Sequence, residues 1–395
     1  MKKVFSLFVL ILSIIVFSAC AQSNEKVDQS AGETNSDESG NTIKVSLLTA
    51  LSGPASPYGG TSVNVAEMAI KEINDAGGLL GKKLELMVGD TGTDPKVANE
   101  QAKIAIDKNK ADVVFIQASG AERDSISPIA EEAGKMYFFT PITEYVEAPN
   151  LYINGETPSQ IIEPVVPYVI EEYDTKKWYI VGNDYKFPRD VSNVLKETLS
   201  AENAEVVGEE YVPMGTSNFS TILTKIQAAK PDMISMELIG SDAIAFIKQL
   251  RSMGLDKQVK IISFVVDEDS VKAMGEGAVG MIEPASYFYN LETEENKKFL
   301  ERYNEMFGEN APRPNFISNG PYDAIHMWAL AVKEANSLET EAVKEQISKV
   351  SFVGPRGEIT FDEKSKYANL SIYLGEVQSD LEFKVVKDFG VIKPQ

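Results

Sequence analysis

Short β-rich runs alternate with amphipathic helical segments along most of the chain, and this alternation restricts the fold more than any other feature. In the segment Ser62–Asn74, for example, Val65, Ala69 and Ile73 recur at helical spacing. Strands that alternate with helices of this length form parallel sheets covered on both faces. The sequence therefore predicts an α/β fold with two doubly wound parallel-sheet lobes. The predicted strands are Ile43–Leu48, Lys83–Val88, Val113–Ile116, Tyr137–Phe139, Lys177–Val181, Glu205–Tyr211, Met233–Met236 and Lys260–Phe264, and predicted helices between or after them include Asp94–Lys108, Ser125–Gly134, Gln160–Tyr173, Asp190–Ser200 and Tyr322–Asn336.

The amino terminus has the composition of an export signal. A basic start, Met1–Lys3, precedes the apolar run Val4–Phe17, which is shorter than the ~20 residues of a membrane span. Two small residues then lead to Cys20. This ending resembles the bacterial lipoprotein lipobox, and the resemblance implies a signal peptide at 1–19, cleavage before Cys20 and attachment of lipid to it. An ordinary signal peptide with an incidental cysteine is the alternative.

Residues 20–42 carry the predicted lipidated cysteine and a segment rich in Ser, Asn, Glu, Asp and Gly. Such a composition buries too little apolar surface to offset the entropy of ordering. The sequence therefore predicts a flexible tether that links a folded, extracytoplasmic part to a lipid anchor in the bacterial cell membrane.

Charge and composition exclude several classes of site. The formal net charge is −21, which argues against nucleic acid as a partner because phosphate binding needs a basic face. The chain has one cysteine, Cys20, and one histidine, His326. It can therefore form no disulfide within itself and no zinc site of the usual Cys/His kind. We expect no metal and no cofactor.

The sequence motifs favour a binding protein over an enzyme. Gly275-x-Gly277-x-x-Gly280 matches the dinucleotide-binding pattern, but it follows a helical segment and precedes a β-like run, the reverse of the required strand–turn–helix order. The sequence has no Walker A loop and no Gly-x-Ser-x-Gly elbow. His326 lies within a predicted helix without an accompanying nucleophile motif.

Five stretches resemble one known group of proteins. Leu51–Gly59 and Glu72–Gly81 are similar to the opening of type I periplasmic binding proteins, the branched-chain amino-acid receptor superfamily. Within that superfamily, Pro158–Pro164, Gly182–Arg189 and Glu292–Leu300 resemble the branch that binds urea and short-chain amides. The resemblance extends from about residue 43 to the end of the chain.

The resemblance implies two lobes joined by three crossing strands, with the ligand held between the lobes. Lobe 1 would comprise residues 43–157 and about 285–350, and lobe 2 residues 158–284 and about 351–395. A membrane permease and an ATPase would be the partners, so the predicted function is that of a solute receptor for an ABC importer. A ligand sensor domain that acts on a separate signalling partner is the second possibility.

Carried over residue by residue, the family's pocket falls on Ser119, Phe138, Thr140, Tyr185 and Phe187. Ser119 and Thr140 follow predicted strands, and ligands of such sheets bind beyond the carboxyl ends of strands. Tyr185 follows a strand of the second lobe, where its ring would close over the ligand. The alternatives are capping or turn roles for the two hydroxyls and core positions for the aromatic rings.

Two ligand chemistries fit this pocket. Urea or a short-chain amide needs hydrogen-bond partners and flat apolar walls, and the runs Asp184–Arg189 and Glu292–Leu300 favour it. A branched-chain or other amino acid also carries an ammonium group, which needs a carboxylate partner when buried. Asp267, just beyond one predicted strand of lobe 2, and Glu237, at the end of another, are the candidates for that partner.

Overall fold

The computed structural model describes residues 42–394, so the predicted signal peptide, Cys20 and the tether up to residue 41 lie outside the described residues. Within this range no helix is long and apolar enough to span a membrane. The strands are β1 (Thr42–Thr49), β2 (Lys83–Asp90), β3 (Val113–Gln117), β4 (Tyr137–Phe139), β5 (Leu151–Ile153), β6 (Lys177–Asn183), β7 (Glu205–Val212), β8 (Met233–Glu237), β9 (Lys260–Ser263), β10 (Ile282–Ala285), β11 (Phe352–Gly354), β12 (Gly357–Phe361), β13 (Ala368–Val377) and β14 (Phe383–Ile392).

The helices alternate with these strands through most of the chain. They are α1 (Ser56–Asp75), α2 (Pro95–Lys103, continued by one π-helical turn), α3 (Gly120–Glu132), α4 (Pro158–Ile162), α5 (Val165–Tyr173), α6 (Lys186–Ala201), α7 (Ser220–Ala229), α8 (Gly240–Ser252), α9 (Glu268–Met274), α10 (Glu294–Phe307), α11 (Gly320–Ala335) and α12 (Thr340–Ile347).

The first sheet is parallel throughout and has the strand order β2-β1-β3-β4-β5. All five residues of its central strand β3 are buried. Val113 and Phe115 pack on the side of α1 and α11, whereas Val114 and Ile116 pack on the side of α2 and α3. Helices on both faces explain why β3 is a continuous apolar run rather than an alternating one.

The second sheet is larger and mixed. Strands β7-β6-β8-β9-β10 are parallel neighbours, which confirms the predicted doubly wound arrangement. Beyond β10 the sheet continues through β13, which is antiparallel to β10, β12 and β14. The sequence predicts late strands at Glu358–Phe361 and Leu370–Val377, which correspond to β12 and β13, but it does not predict their antiparallel pairing.

Three connections pass between the two sheets. Residues 154–157 lead from β5 to α4, residues 286–293 lead from β10 to α10, and residues 348–367, which include the β11–β12 hairpin, lead from α12 to β13. The fold is therefore the two-lobed α/β architecture with three crossing connections. The boundaries predicted for the lobes stay a prediction, and the positions of these connections support them.

Local signals explain where several helices begin and end. Asp94 caps α2 by accepting hydrogen bonds from two backbone N–H groups, and Pro95 occupies its first turn. The predicted helix Gln160–Tyr173 is instead two helices, α4 and α5, which meet at Pro164 because proline has no N–H to continue the ladder. The glycines near Gly275 form a 3₁₀ turn between α9 and β10, so the string lacks the context of a dinucleotide site.

Candidate functional site

Side chains beyond the carboxyl ends of strands from both sheets come together between the lobes, and we call this region the cleft. Tyr58, in the first turn of α1, and Glu144, beyond β4, come from the first lobe. Tyr185 follows β6 and Asp267 follows β9 in the second lobe. Because sheets of this kind bind ligands beyond the carboxyl ends of their strands, this cleft is the candidate site.

Asp267 is the second-lobe carboxylate of the cleft, and its side chain is almost fully buried. It caps α9 by accepting a hydrogen bond from the backbone N–H of Ser270 at 2.8 Å, and it accepts another from Nδ2 of Asn315 at 3.1 Å. The Tyr58 hydroxyl of the first lobe lies near this carboxylate. Burial raises the pKa of Asp267, although the hydrogen bond from Ser270 and the nearby Tyr58 hydroxyl act in the opposite direction. Asp267 thus joins the two lobes without forming a salt bridge within residues 42–394.

Tyr58 and Tyr185 line the cleft next to this carboxylate. Tyr185 is half-buried at the amino-terminal boundary of α6, where no side chain caps the helix. Burial raises the pKa of both tyrosines, and Asp267 adds to the rise for Tyr58. The structure therefore brings together two predicted residues, Tyr185 and Asp267, and one that the sequence reasoning missed, Tyr58. The tyrosine within the run Leu51–Gly59 was the signal that would have found it.

The hydroxyls of Ser119 and Thr140 already have partners inside the first lobe. Ser119 caps α3: its Oγ accepts from the N–H of Glu122 at 3.3 Å and donates to Oε2 of Glu122 at 2.6 Å. Thr140 is fully buried, with Oγ1 3.1 Å from the carbonyl oxygen of Ile116. Both have the structural roles that the sequence left as alternatives, and their contact with a solute stays a prediction.

The two predicted pocket phenylalanines lie in the hydrophobic core. Phe138 is fully buried, stacks on Phe115 with ring centroids 5.0 Å apart and contacts Phe361 at 5.9 Å. Phe187 is buried in the same core cluster, on the second-lobe side. The rings of Tyr58 and Tyr185 are by contrast only half-buried, and contact of the two phenylalanines with a solute stays a prediction.

Glu237 is buried inside the second lobe, at the end of β8. Its Oε1 accepts a hydrogen bond from the Ser235 hydroxyl, and its Oε2 has no partner among residues 42–394. Burial raises the pKa of Glu237 to about 8. The surroundings include Gly182 of β6 and Ser192 of α6, so the carboxyl group lies inside the second lobe, next to α6.

A charged contact between the lobes, that of Glu144 with Lys186, was not predicted. Glu144 accepts a hydrogen bond from Nη2 of the buried Arg123 at 2.8 Å, and Nζ of Lys186, at the start of α6, lies 3.8 Å from the same oxygen. Burial acts to raise the pKa of Glu144, but the hydrogen bond and charge of Arg123 lower it overall. Within residues 42–394, no three His, Cys, Asp or Glu side chains are arranged to hold a metal ion.

Comparison with known proteins agrees with this architecture. The family model described as periplasmic binding protein matches residues 42–382. The leucine-, isoleucine-, valine-, threonine- and alanine-binding protein of Pseudomonas aeruginosa is 22% identical over 365 residues, which cover 90% of this chain and 95% of that protein.

Solved structures extend the comparison to the fold. A solute-binding protein of an ABC transporter from Rhodopseudomonas palustris, in complex with 3,4-dihydroxybenzoic acid, is 25% identical with a TM-score of 0.79 over 89% of this chain and 98% of that one. A leucine-binding protein from Thermotoga maritima is 21% identical with a TM-score of 0.77, and the match covers 89% and 99% of the two chains. The chain therefore belongs to the periplasmic binding protein family and has the two-lobed architecture of its type I, branched-chain amino-acid receptor members.

Proposed function

We propose that this chain is the solute receptor of an ABC importer, and that it captures urea or a short-chain amide between its lobes. The family match and the described relatives, which are binding proteins, support a receptor that does no chemistry on its ligand. A permease and an ATPase would be its partners.

The observation that carries the proposal is the position of Asp267. Its carboxylate lies in the cleft beside Tyr58 of the other lobe and forms no salt bridge within residues 42–394. A buried carboxylate accepts hydrogen bonds, so it fits a solute that donates them from nitrogen. The N–H groups of urea and amides do so without bringing a charge into the cleft, and the rings of Tyr58 and Tyr185 offer flat walls.

The same carboxylate supports an amino acid as the second candidate. An ammonium group would give Asp267 the cationic partner that residues 42–394 do not provide, and a buried charge needs such pairing. The Pseudomonas aeruginosa relative is named for the binding of five amino acids. The two candidates therefore differ in whether the charge of Asp267 is essential.

Calorimetry with urea, acetamide, formamide, leucine and alanine separates these candidates. For the neutral amides we expect Tyr185→Ala to weaken binding severely and Asp267→Asn to weaken it mildly. Abolished binding in Asp267→Asn together with tolerance of Tyr185→Ala would identify an amino-acid receptor instead. The exposed neighbour Asp269 provides a matched control, because Asp269→Asn removes a nearby charge while leaving the buried Asp267 in place. Recovery of chemically altered solute would contradict the receptor proposal.

We also propose that the mature protein begins at a lipidated Cys20 and acts outside the cytoplasm. The support is the apolar run that ends at the chain's one cysteine. Mass spectrometry of the mature amino terminus should show a diacylglyceryl modification, and Cys20→Ala should release the protein from the membrane fraction. Unchanged processing and membrane association in Cys20→Ala would exclude the lipid anchor.

A further inference from the structure

The three connections between the sheets converge on one buried side chain, that of Arg356. It lies in the turn of the β11–β12 hairpin, within the third connection, and it is fully buried. Its Nε donates a hydrogen bond to Oδ2 of Asp323 at 2.6 Å, and Asp323, on α11, is also fully buried. A fully buried arginine is rare unless it is paired, and here the pair joins the third connection to a helix of the first lobe.

The same guanidinium group contacts the other two connections. Its Nη1 donates to the carbonyl oxygen of Asn154, in the first connection, at 3.2 Å and lies 3.4 Å from the Ser286 hydroxyl, in the second. Ser286 in turn donates from its backbone N–H and its hydroxyl to Oε1 of Glu156, in the first connection. Arg356 therefore ties all three connections to one another and to α11.

Stability alone does not account for this arrangement. A buried ion pair gives little net stability, because desolvation of two charges offsets their attraction, and well-packed apolar residues often serve as well. The surrounding backbone nevertheless leaves space for the Arg356–Asp323 pair. A Cβ atom on Gly354 would lie 2.4 Å from Oδ1 of Asp323, so only glycine leaves room for the carboxylate there. These features indicate that the pair fixes the relative positions of the three connections. We call these connections, with Arg356 and Asp323, the pivot of the two lobes.

We propose that Arg356 is a positioning residue for solute capture: it holds the three connections and α11 in the closed arrangement, and so sets the affinity for a solute that it does not touch. This inference rests on the proposed capture of a solute between the lobes. When only part of a population is competent to bind, apparent affinity falls by that fraction. Loosening the pivot should therefore weaken binding, because it lowers the fraction of molecules that are closed.

The test uses the full-length protein in detergent micelles. Arg356→Met leaves Asp323 buried without its partner and is prone to unfold, so the principal variant is the neutral pair Asp323→Asn with Arg356→Gln. Spin labels on cysteines that replace the exposed Leu51, beyond β1, and Met214, beyond β7, report the distance between the lobes. Arg251→Met is the matched control, because Arg251 is an exposed arginine paired with Glu276 on the second lobe.

We expect the neutral pair to melt close to the wild type, to broaden the interlobe distance distribution without solute, and to weaken binding of urea, acetamide or leucine by about tenfold or more. Arg251→Met should change none of these. An unchanged distance distribution in the neutral pair would overturn the proposal for Arg356, whatever solute binds. Absence of binding by any of the three probes in the wild type would count against the proposed solute classes, while the distances without solute would still test the pivot.

Discussion

Two buried carboxyl groups near the cleft, Glu144 in the first lobe and Glu237 in the second, have opposite surroundings. Glu144 pairs with Arg123, and its pKa is lowered despite partial burial. Glu237 has no basic partner in contact among residues 42–394, and burial raises its pKa to about 8. Asp267, on the same lobe as Glu237, resembles it in having a raised pKa and no salt bridge within that range. The first lobe therefore pairs Glu144 with a cation of its own, whereas Asp267 of the second lobe accepts hydrogen bonds from Ser270 and, across the lobes, from Asn315.

The largest expected effect concerns Glu237. Its raised pKa means that the folded protein holds this proton more tightly than the unfolded chain does. The stabilisation that comes from this bound proton is therefore complete below pH 4.5. It is lost as the pH rises through about 8, because Glu237 then ionises inside the folded protein. A shift of this size corresponds to about 4–5 kcal/mol, at about 1.4 kcal/mol per pH unit. Glu237→Gln should remove this part of the pH dependence and stabilise the protein at pH 9.

Urea unfolding at a series of pH values checks this prediction. Burial also raises the pKa of Glu268, to about 7, and that of Glu283. The quantity to compare is therefore the difference between wild type and Glu237→Gln in unfolding free energy at each pH. Glu144→Gln is the opposite control, because the stabilisation from a lowered pKa is lost as the pH falls. Parallel wild-type and Glu237→Gln curves from pH 5 to pH 9 would show that Glu237 is not a buried carboxyl with a raised pKa.

Removal of the basic partner in the first lobe should have the next largest effect. Arg123→Met leaves Glu144 and Thr143 without the hydrogen bonds that the guanidinium group donates to them. Loss of one member of a buried pair typically costs about 3 kcal/mol or more, and the pKa of Glu144 should then rise. The double variant Arg123→Met/Glu144→Gln should recover much of the stability in thermal melts. If the single and double variants melt alike, Glu144 is solvated and the contrast between the lobes is weaker than described.

The smallest effect is expected for the cap of α3. Ser119→Ala removes the capping box with Glu122, which should lower the unfolding free energy by about 1 kcal/mol. Because the Ser119 hydroxyl is already paired within its lobe, we expect binding of urea or leucine to change less than twofold, about 0.4 kcal/mol. Ser125→Ala provides a control serine on the same helix. A loss of affinity tenfold or greater in Ser119→Ala would restore Ser119 as a direct contact of the solute.

Local sequence determined much of the architecture. Several features depend only on residues that are neighbours in the chain, so the sequence alone indicates them. They are the alternation of strands and helices, the cap at Asp94 and the turn at the glycines near Gly275. The predicted start of a helix was wrong where a capping interaction, rather than the apolar pattern, fixed the first residue. Helix α3 begins at Gly120 rather than at Ser125 because Ser119 and Glu122 form a capping box.

Only the tertiary structure decided which side chains reach the cleft. The strands of a sheet covered on both faces are largely apolar, so periodicity could not show that Phe138 faces the core. The contact of Tyr58 with Asp267 joins residues on different lobes, and the contact of Arg356 with Asp323 joins a hairpin to a helix. The sequence by itself therefore determined the order of the elements and the family, because both are written in local patterns. Their assembly determined the cleft and the pivot, because those depend on contacts between residues far apart in the chain.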